Sequence, residues 1–167
     1  NYAVSPREIV ECIRRGVCIV GGASMGALRA AEVPAMTGVG RIFDMYASGT
    51  IEDDDEVAVA FDPSTGEALT QSLVNIRFAL MRLSEQGVIS GAVADRLCHA
   101  AKRLPYAERT YRTILHAAKI PLSARAALAR KLGEYELKGS DARLVLEYIR
   151  SGVAPAEAHR VQAAQSN

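Results

Sequence analysis

The chain has no tryptophan, three cysteines and only 5% aromatic residues. Nowhere do 18 apolar residues follow one another, so no segment reads as a membrane-spanning helix. Cys12, Cys18 and Cys98 are odd in number and form no C-x-x-C pair. That argues against a disulfide frame or a zinc site and for a reducing, cytoplasmic setting. The first residues, Asn1 to Pro6, offer neither a basic start nor an apolar stretch, so they do not read as a signal peptide. Lysine is scarce, restricted to Lys102, Lys119, Lys131 and Lys138. No fixed-period repeat or low-complexity tract is present.

The 167 residues, 49% of them apolar and 23% charged, suffice for one globular domain with a real core. The net charge of +1 hides an uneven distribution. Residues 1–70 hold five basic and eleven acidic side chains, and residues 71–167 hold fifteen and eight. Either the surface presents two faces for different partners, or the halves attract each other.

Tyr2-Ala3-Val4 reads as the end of a strand. Ser5-Pro6-Arg7-Glu8 then carries an N-cap, a first-turn proline and a capping glutamate. Ile9, Val10 and Ile13 give the helix an apolar stripe, and Gly16 closes it. Val17–Val20 reads as a buried parallel strand, Gly21–Gly26 as a tight turn and Ala27–Glu32 as a helix. The chain thus reads as opening in mid-motif, as if N-terminally incomplete. Arg41–Tyr46 reads as a short helix. Val57–Phe61 and Glu67–Thr70, joined by Asp62-Pro63-Ser64-Thr65-Gly66, suggest an antiparallel hairpin. From residue 71 the periodicity is helical, in segments ending at Gly87 and then covering 90–104, 106–119, 122–132, 141–151 and 155–164. The expected fold is an α/β head over 1–70 and an all-helical region over 71–167, predominantly helical and packed as one compact unit.

Gly22-Ala23-Ser24-Met25-Gly26 fits G-x-S-x-G between an apolar strand and a helix. In that setting a sharp bend presents a nucleophilic serine, and the Met25 and Gly26 amides face a developing oxyanion. Two other readings stay open: an anion cradle at the helix N-terminus, and a plain N-cap with glycines that permit close packing. A base is not evident. His99, His116 and His159 lie in helical segments far from the bend, no lysine is near it in sequence, and Arg7 and Arg29 stay protonated, fit to hold a carboxylate rather than take a proton. Asp53-Asp54-Asp55-Glu56 lacks the spacing and glycine of a calcium loop. It reads as a solvated acidic loop or a dock for a basic partner. No metal or cofactor is expected, and the scattered arginines without aromatic interleaving do not suggest nucleic acid.

The run Gly21–Glu32 resembles the signature of TfuA-like proteins, as do Gly38–Phe43 and Asp54–Ala58 in the same order. That resemblance implies a partner of YcaO enzymes, which activate a peptide amide with ATP to install thioamides in ribosomal peptides. It implies hydrolysis of the thiocarboxylated C-terminus of a ThiS-like sulfur carrier, with sulfide handed to YcaO and the precursor peptide held more tightly. Ser24 falls on the family serine. The His-Lys-Glu run of relatives reads Pro6-Arg7-Glu8 here, which puts Arg7 where a lysine stands and leaves the base open. Carried over in this way, Ser24 and Arg7 form the expected catalytic pair, and Gly22, Met25, Gly26 and Arg29 the oxyanion and substrate contacts. Glu32, Asp53, Asp54 and Asp55 form the acidic surface expected to meet a partner. A non-catalytic adaptor is the alternative.

Overall fold

The computed structural model describes residues 4–152. Tyr2-Ala3 and the segment 155–164, with His159, lie outside them. In chain order the elements are α1 (Pro6–Arg14), β1 (Val20–Gly22), α2 (Met25–Glu32), β2 (Thr37–Val39), α3 (Arg41–Ala47), α4 (Leu73–Glu85), α5 (Gly91–Arg103), α6 (Tyr111–Ala117), α7 (Leu122–Gly133) and α8 (Leu137–Ser151). Helix predominates, as expected, and the described residues form one two-stranded parallel sheet, β1 beside β2. Gly21 pairs with Gly38 at its centre.

Among the described residues the βαβ unit is β1–α2–β2. The first strand sits later than the expected Val17–Val20 and incorporates the glycines. A side chain at Gly21 would meet the Gly26 carbonyl and Met36, and one at Gly22 would meet Val39 and Val145. Glycine here permits close approach of strand to helix and of strand to strand. The expected hairpin shrinks to a single antiparallel bridge, Phe61 with Ala68. Local side-chain bonds outcompete a longer ladder: Asp62 accepts from the Ser64 amide at 2.8 Å, and Thr70 takes the Ala60 amide at 2.8 Å.

By contacts the chain divides into two units. One runs up to Glu52 and resumes at Lys138; the other is Asp53–Leu137. The division expected at residue 70 thus falls elsewhere, and α8 belongs almost wholly with the first unit. Within that unit, Ile9 of α1 and Ala30 of α2 pack with Val33 and Met36 beneath Phe43. The Asp141 carboxylate of α8 is buried and accepts the Ile42 amide at 2.7 Å, closing the start of α3. Gly139, expected to separate helices, lies inside α8, which begins earlier because Leu137 is buried.

The second unit packs α4 to α7 around Leu73, Ile76, Leu80, Leu83, Leu97, Ile114 and Leu132. The acidic run enters here as a 3-10 turn, Asp54–Glu56. Glu56 is buried and receives Arg77 through two bonds of 2.9 and 2.8 Å, and Asp55 receives the buried Arg109 at 2.7 Å. The uneven charge along the sequence is in this part an internal attraction. Within 53–137 the eleven acidic and eleven basic side chains balance.

Candidate functional site

α1 starts as its sequence predicts. Ser5 and Glu8 form a reciprocal capping box with Pro6 in the first turn. The chain then leaves β1 through a turn of three residues. Ala23 takes φ +63°, a left-handed conformation that costs a residue with a Cβ, and the Ser24 amide donates back to the Gly22 carbonyl at 2.7 Å. Ser24 is the N-cap of α2, yet its hydroxyl caps no amide. The first helical bond is made by its carbonyl, which accepts from Ala27 at 2.9 Å. Among the described residues the Met25 and Gly26 amides have no acceptor, as befits the first turn of a helix. A half-buried serine hydroxyl and two unspent amides are thus held on one strained bend.

Beside the bend is a cavity of about 350 Å³. Met25, Gly26 and Arg29 of α2, Ile9 and Cys12 of α1, and Met36 contribute to its largely apolar wall. Arg29 is its charged member. Its Nε donates to the Val4 carbonyl at 3.0 Å and its Nη1 pairs with Glu32. Arg7 is exposed and lines a different depression, of about 590 Å³, together with Glu11, Arg14 and Glu32. The Arg29–Glu32 pair therefore joins the two hollows. Gly22 lies at the end of β1, behind the bend, against Val39 and Val145.

No hydrogen bond joins Ser24 to a lysine, a histidine or Arg7 among the described residues. Lys102, Lys119, Lys131, His99 and His116 all belong to the other unit. His116 there approaches Arg125, Nδ1 to Nη1, at 3.3 Å. Asp53 and Asp54 are exposed, whereas Asp55 is committed to Arg109. Among the described residues no three His, Cys, Asp or Glu side chains converge as metal ligands. No helix there is long and apolar enough to cross a membrane.

Two groups that sequence reading missed support this frame. Burial holds the Asp141 carboxyl above its ordinary value, against the opposing bonds from the Ile42 and Arg41 amides. Arg109 is fully buried and also donates to the Ala101 and Leu104 carbonyls, at 3.1 and 2.9 Å. Nothing local in the sequence marks either one, since both act on distant segments.

The three runs noted in the sequence map onto distinct parts of this architecture: the bend itself, the β2–α3 corner that Asp141 closes, and the turn anchored by Arg77 and Arg109. The family model for TfuA-like proteins matches residues 1–110, which include all three. The chain belongs to the TfuA-like protein family. α6, α7 and α8 lie beyond the matched stretch. A search of the curated proteins found no match.

Proposed function

We propose that this TfuA-like protein is an accessory to peptide-backbone thioamidation: it takes a ThiS-like carrier by its thiocarboxylated C-terminus, releases the sulfur and passes it to a YcaO enzyme. The observation that carries this reading is the uncapped Ser24 hydroxyl next to the free Met25 and Gly26 amides. Ser24 Oγ attacks the thioacid carbonyl carbon. The two amides, with the positive end of α2 behind them, receive the oxyanion. The carbon–sulfur bond breaks, the serine proton leaves with the sulfur as hydrosulfide, and water then hydrolyses the acyl ester and restores the serine. Because the departing sulfur takes the proton, the step does not require the lysine that relatives carry. The cavity beside Met25 suits the slender end of a carrier chain. Arg29, whose second terminal nitrogen has no partner among the described residues, would orient the reacting carboxyl end. Arg7 in the neighbouring groove would hold the chain further back, while Glu32, Asp53 and Asp54 would offer acidic contacts to a partner.

Sulfide release from thiocarboxylated carrier tests the reading. Ser24→Ala is expected to reduce the rate on the order of 10³-fold. Since the hydroxyl caps nothing, stability should stay within about 0.5 kcal/mol. An equal rate in the variant removes the nucleophile.

That no base is hydrogen-bonded to Ser24 among the described residues favours one alternative, an adaptor that bridges YcaO to its precursor peptide or carrier without chemistry. Wild type and Ser24→Ala would then both form a salt-sensitive complex, and neither would release sulfide.

A further inference from the structure

The second unit holds a groove that the thioamidation reading does not use. It has a volume of about 430 Å³, with Arg96, His99 and Arg103 of α5 on one wall and Lys119, just past α6, on another. Ala100, Ala117 and Ala118 also line it, and among the described residues no acidic side chain and no Phe, Tyr or Trp does. Arg96, His99 or Ala100, and Arg103 recur at the spacing of one helix face. Seven residues of helix separate the two guanidinium groups' Cα atoms by about 10 Å along the axis.

Two observations bear on these cations, the first of which they share with other basic side chains such as Arg112 and Arg130. Arg15, Arg29, Arg77, Arg82 and Arg109 each pair with a carboxylate. Arg96, Arg103 and Lys119 pair with none among the described residues. Lys119 also occupies a position that the backbone prefers to give to glycine. α6 ends with the Lys119 amide on the His116 carbonyl at 2.9 Å and the Ile120 amide on the Leu115 carbonyl at 3.0 Å. In that terminating motif the residue after the cap is left-handed and usually Gly. Lys119 holds φ +54° there. Lys119 thus lines the groove from a backbone conformation unfavourable to a residue with a Cβ.

We propose that this groove binds a small polyanion with two or more linked phosphates. The volume is that of a small-molecule site. Two guanidinium forks spread along α5 and an ammonium across from them are met together by a phosphate chain, whereas a single carboxylate reaches one of them. With no Phe, Tyr or Trp in its lining and a cationic majority of Arg96, Arg103 and Lys119, the groove reads the phosphate chain rather than a nucleobase.

Calorimetric titration of the full chain with tripolyphosphate, pyrophosphate, ATP and acetate at low salt tests this, alongside a poly-glutamate peptide. Tripolyphosphate and ATP should bind with affinities within about threefold of each other, because the charged contacts are shared. Pyrophosphate should bind more weakly than tripolyphosphate, and acetate should not bind measurably. Arg103→Gln should weaken tripolyphosphate by roughly tenfold, the loss of a charge-assisted contact. Lys119→Gly should weaken it similarly while the melting temperature holds or rises, since glycine relieves the left-handed turn. Arg112→Gln on α6, outside the groove, should leave binding unchanged. The proposal is overturned by any of three results: no heat with tripolyphosphate, affinity unaltered in Lys119→Gly, or binding of only ATP or only the poly-glutamate peptide. Sulfide release plays no part in these readouts, so this proposal and the one for Ser24 stand or fall separately.

Discussion

Ala23 carries the left-handed dihedral of the bend. Ala23→Val should therefore destabilise the protein by about 1–2 kcal/mol, because a β-branched side chain resists φ +63°. Ala23→Gly should hold or raise the denaturant midpoint. If Ala23→Val unfolds at the same midpoint as wild type, the turn is not strained. In the second unit Arg109 is the critical side chain. Arg109→Ala removes its ion pair and leaves the Ala101 and Leu104 carbonyls without this donor, for an expected loss of about 3 kcal/mol. The loss stays at the lower end because Asp55 is partly exposed and can recover water. A denaturant midpoint unchanged in Arg109→Ala would contradict that role. Ser24 and its flanking glycines were legible in the sequence because a strand–turn–helix writes its signal within a few residues. Arg109 and Asp141 were not, because their bonds span 54 and 99 residues.

At the scale of elements, the helices from α4 to α7 stood out through their apolar periodicity and their caps. α6 alone shortened, because residues 106–108 form a separate 3-10 turn. β2 escaped notice: Thr37-Gly38-Val39 is too short to show a period, and its glycine reads locally as a break. That glycine is required by contact rather than by dihedral angle, since a Cβ would run into the Phe43 ring. Gly38→Ala should accordingly destabilise by roughly 1–3 kcal/mol through overpacking. Hydrogen exchange should quicken first at α3, which follows β2 directly. Protection at α3 equal to that of wild type would show that the ring simply moves aside. The acidic run shows the reverse error. Read alone it suggests a solvated loop, yet half of it is paired with arginines that come later in the chain.

For the molecule as a whole, the carboxyls of the buried Asp141 and the partly desolvated Asp44 set part of the response to pH. Burial holds Asp141, and partial desolvation holds Asp44, above their ordinary value of 3.8. The folded chain then binds these protons more tightly than the unfolded chain. Their contribution is full below 3.8 and is lost as pH rises through the raised folded values. Relative to Asp141→Asn, wild type should therefore gain stability as pH falls toward 3.8. Each tenfold by which folding tightens proton binding at Asp141 is worth about 1.4 kcal/mol. Parallel urea curves for the two proteins would read this directly, and a difference independent of pH would contradict it. Tyr111 acts in the same sense at the alkaline end: burial, aided by the Glu136 carboxylate, pushes its hydroxyl up to about 12, so its share of stability fades only as pH climbs past the ordinary value of 10.0. The division into units was the least legible property, because it depends on where α8 lands and nothing in its own residues says so. That landing sets an order of events at the ribosome. The residues up to Glu52 precede the interposed helices, but the carboxylate that closes α3 and the Val145 contact behind Gly22 are synthesised about a hundred residues or more after their partners. The nascent bend around Ser24 must therefore wait, incompletely braced, while the interposed helices are made and can collapse ahead of it.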